Sequence, residues 1–314
     1  MQPHPPSAFP QQLGSHVIAS VHIPRRRGRA ALLAAASLLL AACTGPETDA
    51  GNPAADPGTG HLHGLGVDPA DGTVYAAGHL GVFRLSDGEA VRVADRYQDT
   101  MGFTVTGPST FLASGHPSPT DPDARSPHLG LIRSTDAGRT WKTLSAEGEA
   151  DFHALQQAGA SLYGFDSQSG RLWASADHGR TWNKRAKQPL LDLAAHRKNP
   201  ETVWASTGKG LELSTDGGRT FDAVPGAPAL VAVAATGPGM LVALAADGRV
   251  FSSQGGRNWT EHGRLPGGGV PTILTAVTTQ RLLAADSTDT IYHSSDAGRT
   301  WKILHQSTQA TEDH

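Results

Sequence analysis

Short runs of apolar residues that alternate with polar ones cover the chain from about residue 61 onward, and turn-forming residues separate them. Between residues 190 and 226, four such runs follow one another: LLDLAAH, TVWAST, GLELS and RTFDAV. Alternation with a period of two over about five residues is typical of β-strands with one buried face. Helical periodicity is not evident in this part of the sequence, so the pattern predicts an all-β domain of short antiparallel strands.

An octapeptide recurs through the same region at nearly equal spacing. STDAGRTW occupies residues 134–141 and returns with small changes at residues 175–182, 214–221, 252–259 and 294–301. The intervals between successive copies, measured at the third position of each, are 41, 39, 38 and 42 residues. A repeat of about 40 residues that holds four short strands is typical of one blade of a β-propeller.

The number of repeats predicts the number of blades. Five units carry the octapeptide, and a further unit, from His61 to about Asp95, has the shorter turn Ser86-Asp87-Gly88 in its place. We therefore predict a six-bladed propeller, with seven blades as the alternative count.

The octapeptide lies between the third and fourth predicted strands of its unit, where a hairpin turn is needed. Its Asp can accept hydrogen bonds from the N–H groups of the turn, its Gly can adopt the positive φ, and its final aromatic residue can pack between blades. Because the motif occurs five times, we expect a structural role for its four aspartates, Asp136, Asp177, Asp216 and Asp296. The fourth copy has Gln254 at this position.

The first 60 residues have a different character. Four arginines between positions 25 and 29 precede an apolar run over residues 30–42, and Cys43, the single cysteine, follows. A positive flank, a short apolar core and small residues at its end are typical of a signal peptide, and LAAC is similar to the lipobox of bacterial lipoproteins. We expect a signal peptide over 1–42, lipidation of Cys43, a Pro- and Gly-rich tether over 43–60, the propeller over 61–306 and a polar tail over 307–314.

Charge narrows the choice of partners. The chain has 26 basic and 29 acidic residues, and removal of the leader with its four arginines leaves 22 against 29. An acidic domain of this kind is not expected to bind nucleic acid. We expect an extracytoplasmic monomer that is attached to the membrane through the lipid on Cys43 and meets a small ligand, a glycan or a metal at one face of the propeller.

Candidate functional residues are concentrated where the inner strands of the first units begin. Because the second strand of a blade ends on the face where the first begins, the following residues are predicted to share one face, on the side of the first three blades: His61, His63, His79, Asp99, Met101, His116, Asp151 and His153. Asp192 stands at a similar place in the fourth unit. The insertion between His116 and His128 is rich in Pro and Asp and is expected to form a loop beside this face.

Three functions fit these residues. Imidazole with thioether favours copper and imidazole with carboxylate favours zinc, so His61, His63, His79, Met101, His116 and His153 are candidate metal ligands. Alternatively, Asp99, Asp151 and Asp192 are candidates for the paired carboxylates of a glycosidase. The third alternative is a protein-interaction scaffold, which needs an exposed apolar patch.

The octapeptide resembles the Asp-box of BNR-repeat propellers, S-x-D-x-G-x-T-W. The segments HGLGVDP, MGF, SGHP and DFHAL are similar to those of small bacterial lipoproteins in a sialidase-like, glycosylhydrolase-labelled family. The resemblance implies a propeller fold and leaves the activity open, because the Phe/Tyr-Arg-Ile-Pro motif that precedes the first box of sialidases is absent from the sequence.

Overall fold

The computed structural model describes residues 57–307, which form 24 β-strands and no helix. No helix within this range is therefore long and apolar enough to cross a membrane. The signal peptide, Cys43, most of the tether and most of the polar tail, all expected from the sequence, lie outside the described residues.

The strands form six antiparallel sheets of four, and each sheet takes its strands in chain order. Blade one contains β1 (Leu62–Val67), β2 (Val74–Gly78), β3 (Gly81–Ser86) and β4 (Glu89–Arg92). Blade two contains β5 (Asp99–Gly107), β6 (Thr110–His116), β7 (Leu131–Ser134) and β8 (Lys142–Ser145). Blade three contains β9 (Phe152–Ala158), β10 (Ser161–Asp166), β11 (Arg171–Ser175) and β12 (Asn183–Lys187).

The second half of the domain repeats the arrangement. Blade four contains β13 (Asp192–His196), β14 (Asn199–Thr207), β15 (Gly210–Ser214) and β16 (Asp222–Ala223). Blade five contains β17 (Leu230–Gly237), β18 (Met240–Ala245), β19 (Arg249–Gln254) and β20 (Arg257–Arg264). Blade six contains β21 (Pro271–Ala276), β22 (Leu282–Asp286), β23 (Ile291–Ser294) and β24 (Lys302–His305). The prediction of a six-bladed β-propeller is confirmed.

The hydrophobic core is divided among the contacts between blades. Six apolar clusters are buried in the described range, and each contains residues from two neighbouring blades. Blades one and two, for example, share a cluster that includes Tyr75, Phe103 and Phe111. The sixth cluster joins blade six to blade one, which closes the ring.

The octapeptide closes the outer hairpin as a hydrogen-bonded clip. In the first copy, Ser134 Oγ donates to Asp136 Oδ1 at 2.8 Å, and the Thr140 N–H and hydroxyl donate to the two carboxylate oxygens at 2.9 and 2.5 Å. The same three bonds recur at Asp177, Asp216 and Asp296, at the end of the third strand of blades three, four and six. The aspartates therefore hold turns.

The final aromatic residue of each copy packs against a cluster shared with the preceding blade. Trp141 lies against the cluster of blades one and two, and Trp301 against that of blades five and six. The contact between blades six and one has no such residue, because blade one has the short Ser86-Asp87-Gly88 turn. Hydrogen bonds supplement the apolar contact there: the Leu62 N–H donates to Asp289 Oδ1 at 2.9 Å, and Thr275 Oγ1 donates to the Leu65 carbonyl at 3.0 Å.

A β-bulge recurs where the inner strands begin. In five blades the pairing between the first and second strands skips one residue near that end, and the residues skipped are His63, Met101, His153, Val231 and Thr272. A bulge residue is released from the regular ladder, which allows its side chain to take a direction that a flat strand does not offer.

Candidate functional site

A central cavity of about 610 Å³ is lined by the inner strands of all six blades. We call the end of this cavity at which the inner strands begin the mouth. The bulge residues His63 and His153 lie on its wall there, as does Asp192 of blade four. The backbone irregularity of β1 and β9 thus places two imidazoles at the opening of the ring.

The first group of contacts joins blade one to blade two. His63 Nε2 lies 3.4 Å from His79 Nε2, and His79 Nδ1 lies 3.0 Å from Asp99 Oδ1. His61 stacks edge-on against His63, with ring centroids 5.2 Å apart. Because a carboxylate is only an acceptor, the neutral His79 carries its proton on Nδ1 and presents the lone pair of Nε2 toward His63.

The contacts continue from Asp99 into blade three. His116 Nδ1 lies 3.0 Å from Asp99 Oδ2, and His116 Nε2 lies 3.5 Å from Asp151 Oδ2. That same Asp151 oxygen accepts hydrogen bonds from His153 Nε2 at 2.9 Å and from Ser167 Oγ at 2.8 Å. Side chains of three blades thus form one continuous chain from His63 to His153.

The surroundings of His63 and Asp151 at the mouth determine their protonation states. Burial, followed by the neighbouring His79 and His61, lowers the pKa of His63 to about 4, so this imidazole is neutral near pH 7. Burial alone would raise the pKa of Asp151, but hydrogen bonds from His153 and Ser167 and the charges of His153 and His116 outweigh it and lower the pKa to about 2. The site therefore combines a neutral imidazole with an ionised carboxylate, the forms in which these groups bind metals.

His61 is held by a residue that the sequence did not suggest. Its Nδ1 lies 3.4 Å from Oδ1 of Asp289, in the turn between β22 and β23. The hydrogen bond that His61 donates to the Asp289 carboxylate raises the pKa of His61, against the opposing effect of burial. Asp289 belongs to blade six and reaches His61 of blade one only because the ring closes. No periodicity of the sequence indicates this contact.

Two of the predicted site residues stand apart from these contacts. Met101 is a half-buried bulge residue of β5, and within residues 57–307 no hydrogen bond joins its sulfur to another group. Asp192 accepts the Leu193 N–H on Oδ1 at 2.8 Å and the Val233 N–H on Oδ2 at 2.9 Å, which ties blade four to blade five. Burial, against these two hydrogen bonds, raises the pKa of Asp192 to about 7.

Two sets of side chains in the described range have the geometry of metal ligands. Ligand atoms of His63, His79 and Asp99 lie within 4.8 Å of one another, and so do those of His116, His128 and Asp151. The sequence predicted the loop that ends at His128 but not a ligand in it.

Comparisons with known proteins show the fold and leave the family open. No family model matches the chain, and no curated protein matches it. A chain in the structure of a nidogen/laminin complex superposes with a TM-score of 0.55 at 12% identity, over 78% of this chain and 93% of that one. The GH74 xyloglucanase of Xanthomonas campestris and the GH74 enzyme of Niastella koreensis give TM-scores of 0.50 and 0.51 at 19% and 17% identity, over 78% of this chain. The match spans 45% of each GH74 enzyme, so it concerns one part of a larger protein.

Proposed function

We propose that this protein is an extracytoplasmic, lipid-anchored propeller that binds a divalent transition metal at its mouth through His63 and His79. Asp99 orients His79 from behind, and His61 and His153 complete the surroundings of the ion. The observation that carries the proposal is the 3.4 Å separation of two imidazole Nε2 atoms.

This separation suits a bound ion better than a hydrogen bond. Nitrogen-to-nitrogen hydrogen bonds are shorter, near 3 Å. Two imidazoles on a tetrahedral Zn²⁺, each with a metal–nitrogen distance of about 2.0–2.1 Å, have their nitrogens about 3.3–3.4 Å apart. The arrangement of His63 and His79 therefore supports a pair of ligands that face one ion.

The surrounding groups support the same assignment. The Nδ1 atoms of His61, His79 and His116 all face a carboxylate, which fixes the tautomer that leaves Nε2 for an ion. Imidazole and carboxylate donors without a sulfur contact favour zinc, and copper remains the alternative to be compared with it.

The other two hypotheses have less support from the site. A glycosidase needs a protonated carboxyl group and a second carboxylate across the scissile bond. Asp192 has the raised pKa of such an acid, but both of its oxygens accept backbone hydrogen bonds. The other two candidate carboxylates, Asp99 and Asp151, are held by imidazoles. An interaction scaffold needs a continuous apolar patch, whereas the exposed large apolar side chains belong to four blades: Val91, Leu191, Met240, Val270 and Ile303.

The metal proposal is tested by replacing both ligands. We expect the double variant His63→Ala/His79→Ala to lower the affinity for Zn²⁺ at this site at least about 100-fold, because neither remaining neighbour replaces the lost nitrogen pair. The measurement is isothermal titration of Zn²⁺, and separately of Cu²⁺, into chelator-treated protein, with metal content checked by elemental analysis.

A matched control comes from a histidine away from the mouth. His178 is exposed in an octapeptide turn with a positive φ, so His178→Asn removes an imidazole while keeping a residue that tolerates this conformation. Its affinity should equal that of the unmodified protein. A double variant that binds the same amount of Zn²⁺ as the unmodified protein, with the same affinity, would overturn the proposal.

A further inference from the structure

His128 is held firmly beside the mouth. It ends the long loop between β6 and β7, where its carbonyl accepts the Gly148 N–H at 3.0 Å and the next residue, Leu129, donates to the Gly115 carbonyl at 2.9 Å. Its ring faces that of His116, with centroids 5.5 Å apart. The backbone thus fixes a second imidazole beside the pair His116 and Asp151.

Two polar atoms of this trio are buried without a partner. His128 Nδ1 and Asp151 Oδ1 both lack a hydrogen bond, and Asp151 is only 1% exposed. A buried polar atom without a partner is unfavourable, and more so when the group is charged, so native proteins rarely leave two of them in one cluster. Their coincidence in one cluster points to a ligand beside the His128 ring and the Asp151 carboxylate.

The remaining distances fit a cation. His116 Nε2 and Asp151 Oδ2 are 3.5 Å apart, which is long for a charge-assisted hydrogen bond, normally about 2.7–2.9 Å. It is close to the edge of about 3.4 Å between a nitrogen and an oxygen on one tetrahedral zinc. Because Asp99 accepts the Nδ1 proton of His116, its Nε2 is free to bind an ion.

We propose that His116, His128 and Asp151 form a second zinc site, distinct from the pair of His63 and His79. The proposal rests on the proposed function in taking the same class of ion, but it uses different ligands. His153 and Ser167, which hold Asp151 Oδ2, are the outer residues that orient the carboxylate.

The number of Zn²⁺ ions that each variant binds distinguishes the two proposed sites. Chelator-treated protein should take up about two equivalents of Zn²⁺, and the variant His128→Gln about one. The double variant His63→Ala/His79→Ala should also retain about one equivalent, which belongs to the second site. His178→Asn serves again as the control and should take up the same amount as the unmodified protein.

A variant that gains a spectroscopic signal distinguishes the loss of a ligand from a loss of Zn²⁺ uptake caused by misfolding. In His128→Cys the new side chain can bind Co²⁺ as a thiolate, so a sulfur-to-cobalt charge-transfer band should appear that the unmodified protein lacks. Competition with Zn²⁺ should abolish the band.

The outcomes distinguish the two proposals. Unchanged Zn²⁺ uptake in His128→Gln, together with no charge-transfer band in His128→Cys, would overturn the second site and leave the first standing. Uptake that is lost in His128→Gln but unchanged in His63→Ala/His79→Ala would remove the first site and keep the second. Protein that takes up no Zn²⁺ at all would end both.

Discussion

Asp151 and Asp192 stand where two successive inner strands begin, yet their surroundings move their pKa values in opposite directions. Asp151 is held ionised by imidazoles and a hydroxyl, with a pKa of about 2. Asp192 faces two backbone N–H groups but no positive charge, and burial raises its pKa to about 7. The two acids have similar positions in the repeat, so the sequence does not distinguish them. The difference between their pKa values comes from the groups that the folded ring places beside each one.

The raised pKa of Asp192 predicts a pH-dependent stability. Between about pH 4 and pH 7 the unfolded chain has released this proton whereas the folded chain keeps it, so the group lowers the free energy of unfolding as pH rises, by at most about 1.4 kcal/mol per pH unit. Asp192→Asn should remove this slope, although it also loses one backbone hydrogen bond at every pH. Urea unfolding of chelator-treated protein across this range measures the difference.

Asp222, an exposed acid of β16, provides the comparison for this measurement. Asp222→Asn should leave the pH dependence of unfolding as it is. If Asp192→Asn and the unmodified protein lose stability with pH at the same rate, burial does not hold the proton on Asp192.

At the scale of the hairpin, the octapeptide and its altered copy show how a motif determines a turn. In blade five, Gln254 replaces the aspartate, and the strands pair directly from Gln254 to Arg257 around Gly255 and Gly256. The final Trp259 keeps its place, since its indole N–H donates to the Gly256 carbonyl at 3.0 Å as Trp141 does to Gly138. The aromatic contact between blades therefore survives without the carboxylate clip.

Because the carboxylate clip is present in the first copy and absent from blade five, substitution by alanine at this position should lower the melting temperature by different amounts. Asp136→Ala should lower the melting temperature by roughly 3–10 °C, because three hydrogen bonds to a carboxylate are lost from its turn. Gln254→Ala, at an exposed position without those bonds, should lower it by less than about 2 °C. Differential scanning calorimetry compares them, and equal shifts would show that the carboxylate does not hold the turn.

The sequence predicted the blades well because each blade is local. Four strands and one turn motif lie within about 40 consecutive residues, so periodicity alone identifies them. The gathering of His63, His79 and His153 also followed from strand direction, which the propeller fixes. Whether these residues bind a metal stays a prediction.

The remaining members of the site depend on features that leave no periodic signal. His128 lies at the end of a long loop, so the spacing of the strands does not predict its contact with His116. Asp289 reaches His61 across the contact between blades six and one. The bulge at His63 changes the direction of a side chain without changing the alternation of the sequence. Long-range contacts and backbone irregularities of this kind need coordinates.

For the whole molecule, the ring closes without exchanging strands between its first and last blades. Blade one comes entirely from the beginning of the described range and blade six from its end. Leu62 and Leu65 of blade one pack against Leu283 and Ile291 of blade six, and Asp289 adds a hydrogen bond. This closure differs from the other five contacts between blades, which also have an octapeptide aromatic.

The proposed membrane anchor is a property of the whole chain and is tested as such. Cys43→Ser should move the protein from the membrane fraction to the soluble fraction of the producing cells, because the lipid has no other thiol to join. Immunoblots of both fractions measure this, with His178→Asn as the variant expected to stay with the membrane. A Cys43→Ser protein that remains in the membrane fraction would contradict lipidation at this residue.

Asp99 belongs to blade two but binds His79 of blade one with one oxygen and His116 with the other. A single carboxylate thus stands behind a ligand of each proposed ion. Thermodynamic linkage then requires that whatever the first ion does to the affinity of the second, the second does equally to the first. Any cooperativity between the two proposed ions would therefore be equal in both directions, and the shared Asp99 carboxylate is the group that connects their ligands.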